Sequence, residues 1–169
     1  MTEKDVFDDL EMLKLWKALY YCFWSSDQVP VQLELSRRLT KLIHVFPKKS
    51  NAKLFLRMAL RTLLREWPSL DQYRVNKFYD LITMLVSEAL VLCVSSGQKK
   101  EKEIKGVLEI LETEVLTKVP NGVRFHVCQY FLQSIMTTTQ GDIDTEMFLF
   151  FLGPFFRLLA TTEDRYLSL

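Results

Sequence analysis

Glycine and proline are scarce in this chain, five of each among 169 residues. That excludes collagen-like and low-complexity linker sequences and disfavours a turn-rich sheet protein. Cysteine is scarcer still. Cys22, Cys93 and Cys128 are odd in number, far apart and without CxxC spacing, so neither a disulfide framework nor a zinc site is indicated, and a reducing compartment, cytosol or nucleus, is expected. Long apolar runs are missing as well: the longest, Met147 to Phe156, is too short to span a bilayer. The acidic N-terminus lacks the basic-then-apolar pattern of a signal peptide, so no membrane attachment is expected.

What is abundant is leucine, 28 residues of it, within a composition 49% hydrophobic and 25% charged. Such a chain folds, and its length suits one domain with a sizeable core. Apolar residues return every three or four positions, with turn formers between the periodic stretches, which predicts consecutive amphipathic helices. The pattern places about seven of them: Asp9 to Trp24, Val31 to Phe46, Ala52 to Glu66 with Asn51 as N-cap, Leu70 to Val94, Lys100 to Lys118, Val123 to Thr138, and a last one from near Asp144. Gly153 and Pro154 are expected to kink or split that last helix. Paired as antiparallel hairpins, the helices start units near residues 9, 52, 100 and 144, a spacing close to the roughly 40 to 47 residues of HEAT or armadillo repeats. The expected fold is therefore all-α, a single helical-repeat domain over residues 1–169, with a compact irregular bundle as the competitor. The fourth helix is apolar on more than one side and should lie between two neighbours.

The inventory for catalysis is thin. His44 and His126 are the only histidines, and neither has a ligand-spaced partner. His44 sits where an imidazole favours the end of a helix, and His126 and Cys128, two apart on a helix, point in different directions. No glycine-rich phosphate loop occurs, and the carboxylates of GDIDTE read as a helix start rather than a calcium loop. No catalytic residue, metal site, cofactor or small-molecule substrate is expected. Aromatic residues crowd the first and last helices; core packing explains most of them, while Trp16, Tyr20, Trp24, Phe155 and Phe156 are candidates for a protein-docking surface at the ends of the array.

The net charge of +1 hides a strong asymmetry: −3 over residues 1–30, +8 over 31–79 and −4 over 80–169. Between Leu35 and Arg65 there is no acidic residue, whereas Arg37, Arg38, Lys41, Lys48, Lys49, Lys53, Arg57, Arg61 and Arg65 are all basic. Lys53, Arg57, Arg61 and Arg65 are spaced by four and line one ridge, and Arg37 and Lys41 repeat that spacing. Like charges at this spacing cost about 0.2 to 0.5 kcal/mol per pair, so the ridge needs an offset. A polyanion such as RNA supplies one, through phosphate contacts without base specificity. Carboxylates of the fifth helix, Glu109, Glu112 and Glu114, supply another from within the fold.

Four stretches carry a resemblance: LKLWKALYYCFWSSDQ (13–28), REWPSLDQYRVNKFYDLITMLVSEAL (65–90), PNGVRFHVCQYFLQSI (120–135) and FLGPFFRLLATTEDRYL (151–167). Together, and in this order, the chain resembles the ribosomal RNA-processing protein 1 family of nucleolar ribosome assembly factors. The resemblance implies a noncatalytic helical-repeat protein of the nucleus and nucleolus. It implies association with preribosomal RNA and other assembly factors, chiefly for the large subunit. It also implies a longer protein, of which this chain is a fragment. A general HEAT-type protein-binding adaptor, without nucleic acid, is the alternative.

Overall fold

The computed structural model describes residues 6–95, 100–118 and 120–161, and among them every regular element is helical. The helices are α1 (Asp9–Trp24), α2 (Val29–Lys41), α3 (Lys49–Glu66), α4 (Val75–Val94), α5 (Lys100–Leu111), α6 (Asn121–Thr139) and α7 (Thr145–Thr161). They stack as antiparallel hairpins in two rows. One row runs α1, α3, α5, α7; the other runs α2, α4, α6, and α4 also packs on α5.

Local chemistry explains the boundaries. A reciprocal capping box opens α1: the Glu11 N–H donates to Asp8 Oδ1 at 2.8 Å and the Asp8 N–H to Glu11 Oε2 at 3.1 Å. Met12, Trp16, Tyr20 and Phe23 then return on one stripe, all buried. Pro30 sits in the first turn of α2, where its missing N–H costs nothing, so α2 begins two residues before the predicted Val31. It yields to a 3-10 turn at Leu42–His44 ahead of Pro47. The third helix opens at Lys49, ahead of the expected Ala52, which puts Asn51 inside the first turn and buried rather than at the cap. Pro68 lies in a 3-10 turn, Trp67–Ser69, and Asp71 accepts from the N–H groups of Tyr73 and Arg74, delaying α4 to Val75. At the other end, Gln140 (φ 55°) and Gly141 (φ 78°) close α6 in the left-handed region. The Asp144 carboxylate accepts from the Met147 N–H at 2.7 Å and starts α7.

Two expectations are corrected here. The last helix, expected to kink or split at Gly153 and Pro154, is not split: Pro154 lies buried inside an uninterrupted Thr145–Thr161, where packing on α5 holds the turn that has lost one backbone bond. The fifth helix does not run evenly to Lys118 but opens into a π-helical turn at Glu112–Leu116.

Stacking buries apolar faces on both sides of the middle helices. Trp16 lies 4.7 Å from the Phe55 ring, Tyr20 5.2 Å from Phe78, and Phe23 meets Phe78 edge-on at 5.1 Å, joining the first hairpin to the second. As its breadth of apolar residues foretold, α4 is enclosed between α2 and α6. The most consequential polar contact is Lys77, 5% exposed, whose Nζ donates to the carbonyls of Phe23 (2.9 Å), Trp24 (2.8 Å) and Ser26 (2.6 Å). It satisfies carbonyls that the end of α1 leaves without intrahelical partners and places a cation at the negative end of its dipole. Burial pushes the Lys77 pKa down from its ordinary value, opposed by Asp27.

The histidines are structural. His44 Nε2 lies 2.7 Å from Glu88 on α4. His126 is stacked between Tyr79 and Tyr130, donates from Nε2 to the Tyr79 carbonyl at 3.1 Å and lies 2.7 Å from the Thr83 hydroxyl.

Replacing Lys77 with Met keeps the stem but removes the donor to the Trp24 carbonyl, while Phe23 keeps Ser26 and Ser26 keeps Gln32 as partners, so unfolding stability should fall by about 1 to 3 kcal/mol in urea titrations. Burial also holds the His126 pKa below the ordinary histidine value. A depressed pKa stabilises the fold above pH about 6.5 and loses that contribution as the pH falls further. Melting curves between pH 7 and 5 should show a shallower acid slope for His126→Gln than for the parent chain.

A candidate polyanion interface on the second and third helices

The nine basic residues singled out in the sequence occupy two different environments. Along α3 the ridge is met by carboxylates from across the stack. Lys53 Nζ lies 3.2 Å from Glu103 on α5, and Gly106 beside it leaves room for the lysine stem: a Cβ there would stand 2.9 Å from Lys53 Cδ. Glu114, in the π-helical turn and 9% exposed, accepts from Arg61 at 2.7 Å and 3.3 Å and lies 3.9 Å from the Arg57 Nε. The bidentate geometry holds the Arg61 pKa above its ordinary value. Arg65 pairs at 2.9 Å with its sequence neighbour Glu66.

Of the three carboxylates expected to neutralise the ridge, Glu114 does so. Glu109 lines a cleft of about 370 Å³ together with Lys53 and Arg57. Glu112 turns instead to α7, accepting from Arg157 at 2.7 Å and 2.9 Å, which holds its pKa below the usual carboxylate value. Residues two apart on a helix face opposite ways, so Glu112 and Glu114 reach different neighbours. Glu103 was not anticipated; its position seven residues before Ile110 on the face opposing α3 is the signal that the charge count passed over.

On α2 the cations face solvent. Glu34, Arg37, Arg38 and Lys41 fall at i, i+3, i+4 and i+7, one exposed stripe. Arg38, 76% exposed along its side chain, bonds Glu34 at 2.7 Å and lowers that carboxylate's pKa; Arg37 and Lys41 act on the same carboxylate more weakly. Three cations thus stand against one carboxylate. Exposed Lys48 follows just before α3, and Lys49, half-buried, reaches the Leu92 carbonyl at 3.5 Å. In its N-terminal half the same helix shows apolar residues: Pro30, Val31 and Leu35 line a shallow groove with Glu34 and Arg38.

The docking set divides as well. Trp16, fully buried, and Tyr20, 2% exposed, belong to the core and form no exposed surface, because α1 turns its aromatic stripe onto α3 and α4. Trp24 is half-buried beneath the Arg74 guanidinium, 4.2 Å from its ring centre. Phe155 packs 4.7 Å from Phe131 on α6, whereas Phe156 is 54% exposed.

Among the described residues no group of three His, Cys, Asp or Glu side chains is placed to hold a metal, and no helix is long and apolar enough to cross a membrane. Burial pushes the Cys93 thiol up to about 12 and raises Cys128 too, the opposite of what a nucleophile needs.

Residues 1–168 match the family model described as "Nucleolar protein, Nop52". The chain is 36% identical to the human "Ribosomal RNA processing protein 1 homolog A" over 157 residues, 91% of this chain and 34% of that protein. Its identity to the ribosomal RNA processing protein 1 homologs of Dictyostelium discoideum and Caenorhabditis elegans is 28% and 25%, over 97% and 96% of the chain and 37% and 41% of those proteins. It thus spans about a third of the length of its human relative.

Arg61→Gln should leave the buried Glu114 with only its longer contact to Arg57 and cost about 1 to 3 kcal/mol. Arg37→Gln, on the exposed stripe, should stay within about 0.5 kcal/mol, and thermal melts of the two variants separate these outcomes.

Proposed function

The chain belongs to the Nop52 family of nucleolar proteins, and from that premise we propose that it is a noncatalytic domain of a ribosomal RNA-processing factor. It acts in the nucleolus as a rigid helical scaffold in preribosome assembly, chiefly of the large subunit, among other assembly factors. Its RNA contact is the α2 stripe. The observation that carries this reading is the placement of Arg37, Arg38 and Lys41 on one solvent-facing line, opposed by Glu34 alone, within a stretch free of acidic residues from Leu35 to Arg65. Lys48 extends the line toward α3. The α3 ridge contributes less, because Lys53, Arg57 and Arg61 already meet Glu103 and Glu114.

Phosphate contacts of this kind position a protein on RNA without reading bases. They release counterions, so log K falls by about 0.7 to 0.9 for each phosphate neutralised per tenfold rise in salt. A protein-only adaptor docking through the apolar groove at Pro30, Val31 and Leu35 is nearly indifferent to salt.

Fluorescence anisotropy of the domain with structured ribosomal RNA fragments at two salt concentrations tests the assignment. The triple variant Arg37→Gln, Arg38→Gln, Lys41→Gln should bind at least tenfold more weakly at low salt, with the salt slope reduced by about 2 to 3. Unchanged affinity and slope in that variant overturn the α2 assignment, and absent RNA binding by the parent chain favours the adaptor.

A further inference from the structure

Helices α3 and α5 lie side by side in a fixed register. Lys53 stands against Gly106 and Arg61 against Glu114, each pair 53 residues apart. One turn further along, the same register brings Arg65 to Lys118. Both line a cleft of about 440 Å³ at this end of the groove, together with Arg61, Leu64, Thr113 and Glu114. The earlier turns set a cation against a glycine or a carboxylate; this one sets a cation against a cation. The carboxylates in reach do not balance it. Glu114 is committed to Arg61 in two hydrogen bonds and lies 3.9 Å from Arg57, and Asp9 on α1 acts on Arg61 more weakly. Glu66 bonds Arg65 at 2.9 Å, but neighbours in sequence with side chains 22% and 48% exposed hold each other weakly in water. Among the described residues the exposed Lys118 has no carboxylate partner. Arg124 of α6, 8% exposed, donates to the Lys118 carbonyl at 2.8 Å; it has no carboxylate partner either, and its Nε has no acceptor.

Arginine is almost never buried without an oppositely charged partner. Arg61 apart, which Glu114 satisfies, the cations Arg65, Lys118 and Arg124 share Glu66 alone. The C-terminal ends of α3 and α5, worth about half a charge each, offset part of this surplus and leave the rest. What completes the cleft is an anion whose oxygens accept from both walls. A guanidinium on one side and an ammonium on the other suit a phosphate, the first through paired N–H donors and the second as a point charge. The lining favours a nucleic acid over a phosphorylated peptide. Leu64 is its one apolar side chain, so little there anchors a peptide. Arginines instead recur at each turn of α3, about 6 Å apart at 1.5 Å per residue, which suits the repeating diesters of a strand. Resting on the RNA-binding reading above, we propose that the α3–α5 groove at Arg65 and Lys118 is a second RNA phosphate site. It lies on the other row from the α2 stripe, so that one domain holds two RNA segments.

Titration of the chain with a short structured ribosomal RNA fragment at low salt, with stoichiometry from sedimentation velocity and affinity from anisotropy, tests it. The expected result is two fragments per chain. Lys118→Gln with Arg65→Gln should leave one, with the helical circular dichroism spectrum and melting temperature unchanged, and the lost step should carry a salt slope of about 2. The α2 triple variant should also leave one fragment, and all five substitutions together none. Should the double variant melt early, Lys118→Gln alone should still weaken the second step about threefold. A single bound fragment, lost in the α2 variant and kept in the groove variant, overturns the groove site and leaves the α2 reading standing. A single fragment lost only in the groove variant overturns the α2 reading and the two-segment arrangement. A parent chain that binds no RNA overturns both, and binding of a phosphoserine peptide in place of RNA at this cleft overturns the proposal in favour of a phosphoprotein.

Discussion

The carboxylate of Glu114, held in the π-helical turn and nearly out of water, is the charge on which the basic ridge of α3 depends. It meets Arg61 in two hydrogen bonds and lies within ion-pair range of Arg57. With Glu103 against Lys53, it answers the self-repulsion that a run of cations at four-residue spacing imposes on α3. Because no acid lies between Leu35 and Arg65 in sequence, the compensating charges come from across the stack, and they reach only α3. The cations of α2, on the other row and facing solvent, are opposed by Glu34 alone. Two nearly buried carboxylates thereby sort a block of like-charged residues into a seam and a surface.

A comparable economy joins the first two hairpins. The stretches at 13–28 and 65–90 that carry the family resemblance meet at the end of α1. There Lys77 holds three carbonyls, and Arg74 covers Trp24, bonds Asp71 and lies 3.9 Å from Asp27. Trp67 packs on Tyr79 at 4.8 Å, and Tyr79 in turn stacks on His126. These motif residues fix how one hairpin sits on the next; they assemble no reactive group. The polar side chains among them are spent on helix ends and on contacts between rows.

Helix count, hairpin pairing and the burial of α4 were legible in the period of apolar residues, since stacking demands the same stripes that the sequence displays. Boundaries beside prolines were less so. The start expected at Val31, just after Pro30, falls at Val29 with the proline inside the first turn of α2, and Pro154, read as a kink or a split, leaves α7 unsplit because tertiary packing carries a turn that local rules would end. Trp16 and Tyr20 show a different limit. Aromatic residues stand on both the buried and the exposed side of α1, and periodicity gives the stripe without its direction. The basic block was plain in the sequence, but which cations remain available depended on Glu103 and Glu114, some fifty residues away. Lys77 gave no charge pattern at all, since its partners are backbone carbonyls.

The division of the cations between seam and surface is tested most directly by lysine footprinting with and without a structured ribosomal RNA fragment at low salt, using an amine-acylating reagent and mass spectrometry. Lys41 and Lys48 should lose reactivity when RNA is added, while Lys53, paired with Glu103, should react slowly in both states. Protection confined to Lys53 and the α3 side, with Lys41 unchanged, would contradict the account.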